Sequence, residues 1–296
     1  MTTAVGGWKA FRVYLEMIKF EHSIFALPFA MIGMMWGSMA AFGHAWPGFR
    51  IFVWVVVAMV SCRSAAMAFN RIADRSIDAQ NPRTRMRALP AGLLQLRQTN
   101  IFFLGSCALF FVSAAMLNHL TLILSPVALG VTLFYSLTKR FTPLCHFVLG
   151  FSLGIAPAAA WIASTGTLTP LILWMTAAVT GWTAGFDIIY ALQDVDFDRE
   201  MKLRSLPETL GVPRALLVSR LCHVLAVGCL VAGGFAMQAG PVYFVGTAFA
   251  GALLAYEQSL VKPHDLSRIN LAFFTLNGFV SLGVFAFTLI DILVKR

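Results

Sequence analysis

Apolar residues run along this chain in long blocks, divided by short clusters of charge, proline, glycine or asparagine. A bilayer core takes about 20 predominantly apolar residues per helix. Nine blocks qualify: 23–43, 51–70, 101–117, 119–136, 143–163, 170–192, 215–237, 241–260 and 270–292. The pattern predicts an all-α integral membrane protein, a bundle of nine transmembrane helices. Only Asn118 and His119 divide the third block from the fourth, and the eighth block carries Glu257. The stretch 1–22 differs, because Lys9, Arg12, Lys19 and Glu21 are interspersed with apolar positions as in an amphipathic helix at the membrane interface. No signal peptide is evident in it.

Composition strengthens this reading. Of 296 residues, 59% are hydrophobic and 12% charged, with a mean hydropathy of +0.79, whereas soluble domains carry about 25% charged residues. Residues 1–296 read as a single membrane-embedded domain with no sizeable soluble part. A net charge of +9 would suit nucleic acid, but its distribution follows the bilayer. With the N-terminus in the cytoplasm, the leading segment and the loops after the second, fourth, sixth and eighth helices, with Arg220 just inside the seventh block on the same side, hold every Lys and Arg except Arg50, Arg63, Lys295 and Arg296. That is the positive-inside pattern of a multi-pass protein of the inner (cytoplasmic) membrane, with lipid rather than nucleic acid as its partner. The five cysteines, without CxxC spacing, read as small buried hydrophobes.

Two of the cytoplasmic junctions carry aspartate every fourth residue: Asn70-Arg-Ile-Ala-Asp74-Arg-Ser-Ile-Asp78 and Tyr190-Ala-Leu-Gln-Asp194-Val-Asp-Phe-Asp198. Residues four apart share a helix face, so each stretch forms a ladder of oxygen ligands. Arg63 lies on the face of Asn70, Asp74 and Asp78, two turns deeper. It is either a functional group inside the bundle or a structural arginine that caps a carbonyl or pairs with an aspartate. Asp187 extends the second ladder one turn below Tyr190, while Asp196 points about 200° away from Asp194. Asp74 and Asp78 recur 120 residues later as Asp194 and Asp198, and Arg87-Ala-Leu-Pro90 is echoed by Arg204-Ser-Leu-Pro207. The echoes predict two related four-helix units facing each other, with the ninth helix added.

Basic loops follow both ladders. Arg83, Arg85 and Arg87 follow the first, and Lys202 and Arg204 the second. Cytoplasmic loops are basic for topology alone, which accounts equally well for Arg83 and Arg85; Arg87, repeated in the second half, favours function. Mg²⁺ takes one or two carboxylates, waters and phosphate oxygens, and cations neutralise the remaining phosphate charge. Facing ladders could thus clamp a diphosphate and stabilise its departure. No GxSxG or HExxH is present, and the six histidines lack ligand spacing. A transporter or channel would spread polar residues through the bilayer, whereas here the acids gather at one face.

These motifs resemble the UbiA superfamily of intramembrane prenyltransferases. The first ladder is similar to NDxxDxxxD, and Asp187 to Asp198 to DxxYAxxDxxDD. Arg63, the Arg87-to-Pro90 turn and Tyr135-Ser-Leu-Thr-Lys139-Arg140 also match that pattern. Arg71 replaces an aspartate of the first motif, where it contacts diphosphate or faces the loop, and Phe197 replaces an acid of the second. Together with Lys19-Phe-Glu-His-Ser-Ile-Phe-Ala-Leu-Pro28, the arginine variant most resembles the 4-hydroxybenzoate polyprenyltransferase-like branch. For some members of that branch a dihydroxynaphthoate of menaquinone biosynthesis is held to be the acceptor instead.

The resemblance implies Mg²⁺-dependent transfer of a polyprenyl group from its diphosphate to a small hydroxylated aromatic acid. It implies metal ligands at Asn70, Asp74, Asp78, Asp187, Asp194 and Asp198. Diphosphate contacts are expected among Arg63, Arg71, Arg87, Tyr135, Lys139, Arg140, Lys202 and Arg204. Asp74, Asp194, Tyr190 and Arg63 are the expected catalytic residues. Tyr190 and Tyr135 would face an allylic cation, and Arg63 or Arg140 the acceptor carboxylate.

Overall fold

The structure is a computed structural model that describes residues 13, 14, 16, 17 and 25–295. Val13, Tyr14, Glu16 and Met17 are helical; the rest of the expected interfacial helix, with Lys9, Arg12, Lys19 and Glu21, lies outside the described residues.

The described residues form helices joined by loops, with no strand among them. The long helices are α1 (Leu27–Phe42), α2 (Phe49–Ala73), α4 (Leu96–Leu117), α5 (His119–Thr138), α6 (Cys145–Thr165), α7 (Pro170–Ala191), α10 (Val212–Ala236), α11 (Pro241–Leu260) and α12 (Leu271–Val294). Short helices α3 (Arg75–Gln80), α8 (Val195–Glu200) and α9 (Leu206–Leu210) lie at the two ladders. Seven helices are long and apolar enough to cross a membrane: α2, α4, α5, α6, α7, α10 and α12. At 16 residues, α1 spans about 24 Å at 1.5 Å per residue, short of a hydrocarbon core of about 30 Å. α11 is diluted by Tyr256, Glu257 and Gln258 in its last turns.

Local chemistry sets the boundaries. Proline, with its fixed φ and missing N–H, opens α1, α7, α9, α10 and α11. Gly43 (φ 74°) and Gly166 (φ 71°) close α1 and α6 in the left-handed region. The narrow division between α4 and α5 is real because Asn118 is extended (φ −159°, ψ 170°). Its Oδ1 accepts from the Thr121 N–H at 2.9 Å, and its Nδ2 donates to Ile162 O at 2.8 Å.

α2 packs on α4 and α5, α6 on α1, α5 and α7, α7 on α10, and α12 on α11 and α1. Phe29, Ile32, Trp36, Trp161, Val179, Trp182 and Tyr243 form the central cluster. Large apolar side chains cover the outer faces of α4, α5 and α10, with Leu104 63%, Val127 62% and Val224 71% exposed. Water would make so continuous a belt unfavourable; lipid tails satisfy it.

Without much hydrophobic drive between helices in lipid, close approach supplies the packing. At Gly33 an added Cβ would lie 2.1 Å from Pro157 O on α6. Gly33→Ala should therefore destabilise the fold by about 1–3 kcal/mol, the usual overpacking cost. Thermal unfolding of the detergent-purified variant measures this, and an unshifted midpoint would show that the α1–α6 contact tolerates more bulk.

Candidate active site

Both ladders break at the same step, which corrects the expectation of one continuous face. α2 ends at Ala73, Asp74 adopts φ −93°, ψ 8°, and α3 restarts at Arg75. α7 ends at Ala191, a 3₁₀ turn covers Leu192–Asp194, Asp194 adopts φ −111°, ψ 8°, and α8 follows. This sparsely populated bridge region recurs at active sites. The break falls between the rungs in each half: Asp74 and Asp194 sit at the break, and Asp78 and Asp198 follow it on α3 and α8, 5% and 0% exposed, with only Asp198 off the cavity wall.

Each carboxylate meets a cation. Asp78 lies 2.8 and 2.9 Å from Arg87 Nη1 and 3.5 Å from Arg71. Asp74 accepts from Asn70 Nδ2 at 2.9 Å and from Arg140 Nη2 at 3.0 Å. Burial holds the Asp74 carboxyl above its ordinary range, against the pull of Arg140. Asp194 accepts from Arg83 Nε at 3.0 Å and Asn81 Nδ2 at 3.2 Å. Arg83 Nη1 also donates to the Tyr190 hydroxyl at 2.9 Å. Four of these pairings cross between the halves of the chain: Arg83 to Asp194, Asn81 to Asp194, Arg83 to Tyr190, and Lys139 to Asp198 at 2.6 Å.

The charged groups crown one end of a cavity of about 730 Å³. Asn70, Arg71, Asp74, Asp78, Arg83, Arg87, Lys139, Arg140 and Asp194 line that end, and Arg63, Tyr135, Asp187 and Tyr190 line the part below. The remaining wall is mostly apolar, running past Phe110, Ala114 and Leu124 to Leu117, at the opposite end of α4, and Leu168, just beyond α6.

Three expected residues lie elsewhere. Asp198 does not line the cavity; it is held by Lys139 and by Ser205 Oγ at 2.9 Å. Lys202, at φ 55°, and Arg204 are exposed outside the cavity, with Arg204 donating to Phe141 O at 3.3 Å. Asp196 points outward, 95% exposed.

Spacing did not single out Asn81, although it continues the ladder by one turn from Asp78. Nor did it find His146, whose Nδ1 is 2.7 Å from Asp187 Oδ2. His146 Nε2 accepts from the Leu206 N–H at 3.3 Å, so Nδ1 carries the proton towards Asp187. A lone histidine gives no sequence signal for a partner 41 positions away.

Among the described residues, no group of three or more His, Cys, Asp or Glu converges on one point. The donor chemistry nevertheless fits Mg²⁺, which needs only one or two carboxylates when water and phosphate complete its shell. Asp74, Asp78 and Asp194 offer such hard oxygen donors at the cavity wall.

Comparison with known proteins gives the same picture. The family model for the UbiA prenyltransferase family matches residues 30–281. A 4-hydroxybenzoate octaprenyltransferase of Vibrio atlanticus is 30% identical, over 84% of this chain and 87% of its own. The apo structure of a UbiA homolog from Aeropyrum pernix K1 superposes with a TM-score of 0.82 at 35% identity, covering 92% of this chain and 98% of that one. A UbiA homolog from Archaeoglobus fulgidus, bound to DMAPP and Mg²⁺, shares the fold at a TM-score of 0.72 and 18% identity, over 95% of this chain and 99% of its own. With two broken aspartate ladders crowning an apolar intramembrane cavity, this chain belongs to the UbiA prenyltransferase family and is a membrane-embedded prenyltransferase.

Proposed function

We propose that the chain transfers a polyprenyl group from polyprenyl diphosphate to a ring carbon of 4-hydroxybenzoate, in a Mg²⁺-dependent reaction. The observation that carries this reading is the division of one cavity into a charged crown and a long apolar barrel. A diphosphate with a long hydrocarbon tail has the same division. The Vibrio relative's name supplies the acceptor.

Asn70, Asp74, Asp78 and Asp194 would hold Mg²⁺, with Asp187 one turn deeper; the bound ion would supply charge neutralisation for the departing diphosphate. Arg71, Arg83, Arg87, Lys139 and Arg140 surround the same space and bind phosphate oxygens as forked or point donors. Their present carboxylate partners hold them in place before substrate arrives. Asp198, withdrawn from the cavity, anchors the loop after α8 rather than ligating metal. Tyr190 and Tyr135 present aromatic faces where allylic positive charge develops. Arg63, two turns below Asn70 on the cavity wall, would meet the acceptor carboxylate.

Nine spans, with the N-terminus and the crown on the cytoplasmic side, complete the proposal. The basic loops support it, as does the equivalent break at Asp74 and Asp194 for two four-helix units related by repetition, with α12 added. The test incubates purified protein with Mg²⁺, a polyprenyl diphosphate and either 4-hydroxybenzoate or a dihydroxynaphthoate, and reads products by mass spectrometry. Prenylated hydroxybenzoate is the expected product. Exclusive transfer to the naphthoate would replace the acceptor, and transfer to neither would remove the quinone-precursor assignment.

A further inference from the structure

α12 does not begin as an α-helix: Leu271–Leu276 is a π-helical stretch. Such stretches are rare, strained and frequent at functional sites. A side chain stabilises this one. Asn277 Nδ2 donates to Ala272 O at 3.1 Å and to Phe273 O at 3.2 Å, two carbonyls of the π turn. It also reaches Glu257 Oε1 on α11 at 3.2 Å, so two amide hydrogens serve three acceptors. Asn277 Oδ1 accepts from Trp182 Nε1 on α7 at 2.6 Å. Asn277 and Glu257 are fully buried and Trp182 is 2% exposed. Buried polar groups in a membrane bundle are costly unless they serve a purpose.

Phe273 lies within this turn. Its ring stacks on Tyr190, with centroids 4.1 Å apart and planes at 29°, and meets Phe186 and Phe25 edge-on at 5.3 and 6.0 Å. All four rings line the cavity. Tyr190 in turn accepts from Arg83, which holds Asp194. A continuous path thus runs from the Asn277 amide, through the π turn and the Phe273 ring, to the second ladder.

We propose that Phe273 and Asn277 are positioning residues for Tyr190: the Asn277–Glu257–Trp182 lock stabilises the π turn, and Phe273 thereby fixes the plane and height of the Tyr190 ring beside Asp194. The assignment rests on the prenyl-transfer reading above. An ordinary α-helical start to α12 would rotate Phe273 by a large part of a turn and remove its stack on Tyr190. The relevant ring would then be free to leave the position where positive charge develops.

The experiment measures kcat and KM for the prenyl diphosphate in wild type, Phe273→Leu, Phe273→Tyr, Asn277→Leu and the Phe273→Leu/Asn277→Leu pair. Folded protein is quantified by size-exclusion chromatography. Phe273→Leu should lower kcat about tenfold with KM within about twofold, the signature of an interaction made in the transition state. Phe273→Tyr retains the stack and should stay near wild type. Asn277→Leu should lower kcat similarly, and the pair should fall no further than the lower single variant, because both act through one ring. Wild-type kcat in Phe273→Leu would overturn the proposal, and so would a double variant showing the full product of two independent losses. A wild-type protein inert towards every prenyl diphosphate would instead sink the functional reading on which it rests. Phe273→Leu leaves the lock intact, so the test survives if Asn277→Leu does not fold.

Discussion

Asp194→Ala is expected to lower the rate of prenyl transfer by about 10² to 10³, the usual loss when one preorganised group facing developing charge is removed. The carboxylate lies at the cavity wall, at a helix break, and holds Arg83 and Asn81 from the other half of the chain. Its removal takes away a hard oxygen donor and lets Arg83 drift from the crown. Asp74→Ala should behave alike, since Asp74 occupies the equivalent break and holds Arg140 and Asn70. Diphosphate release at saturating Mg²⁺ and acceptor measures both, with the folded fraction matched by circular dichroism. Full activity in either variant would remove that ladder from the site.

Lys139→Met should damage stability as well as activity. Asp198 is fully buried and depends on Lys139 and Ser205 for compensation. Removing the cation leaves a buried carboxylate paired only with a hydroxyl. Losing one partner of a buried pair costs about 3–5 kcal/mol, and the lower end applies because Lys139 is 35% exposed and partly screened. The melting midpoint should fall by several degrees. Lys139→Met/Asp198→Asn should regain most of the stability, since the uncompensated charge is gone, but not the activity, because Lys139 also lines the crown. If the double variant melted with the single one, Asp198 would not be the group that Lys139 stabilises.

Much of this was legible in the sequence because bilayer spans and acidic ladders are local signals. Block length placed α2, α4, α5, α6, α7, α10 and α12, and the recurrence of Asp74 as Asp194 marked corresponding positions in the two halves of the chain. The breaks themselves were not legible. Apolar spacing carries no mark of the bridge conformation at Asp74 or Asp194, so Asp198 was expected on the wall and instead became a loop anchor. Long-range partners were equally hidden. Spacing rules reach one helical turn, whereas Arg83 finds Asp194 across 111 positions and His146 finds Asp187 across 41. Lys202 and Arg204 matched a basic loop by composition, but the chain leaves the cavity before reaching them. The aromatic wall is built from Phe25, Phe186, Tyr190 and Phe273, which belong to three separate segments of the chain, and no window of sequence contains them all.

The central claim is that the two ladders form one Mg²⁺-dependent diphosphate site. Calorimetric titration of a non-hydrolysable prenyl diphosphate analogue into the purified protein, with Mg²⁺ and with EDTA, tests it most directly. The account predicts binding that requires Mg²⁺ and is weakened at least about tenfold by Asp74→Ala and by Asp194→Ala alike. Equal binding in EDTA, or unchanged affinity in either variant, would contradict it.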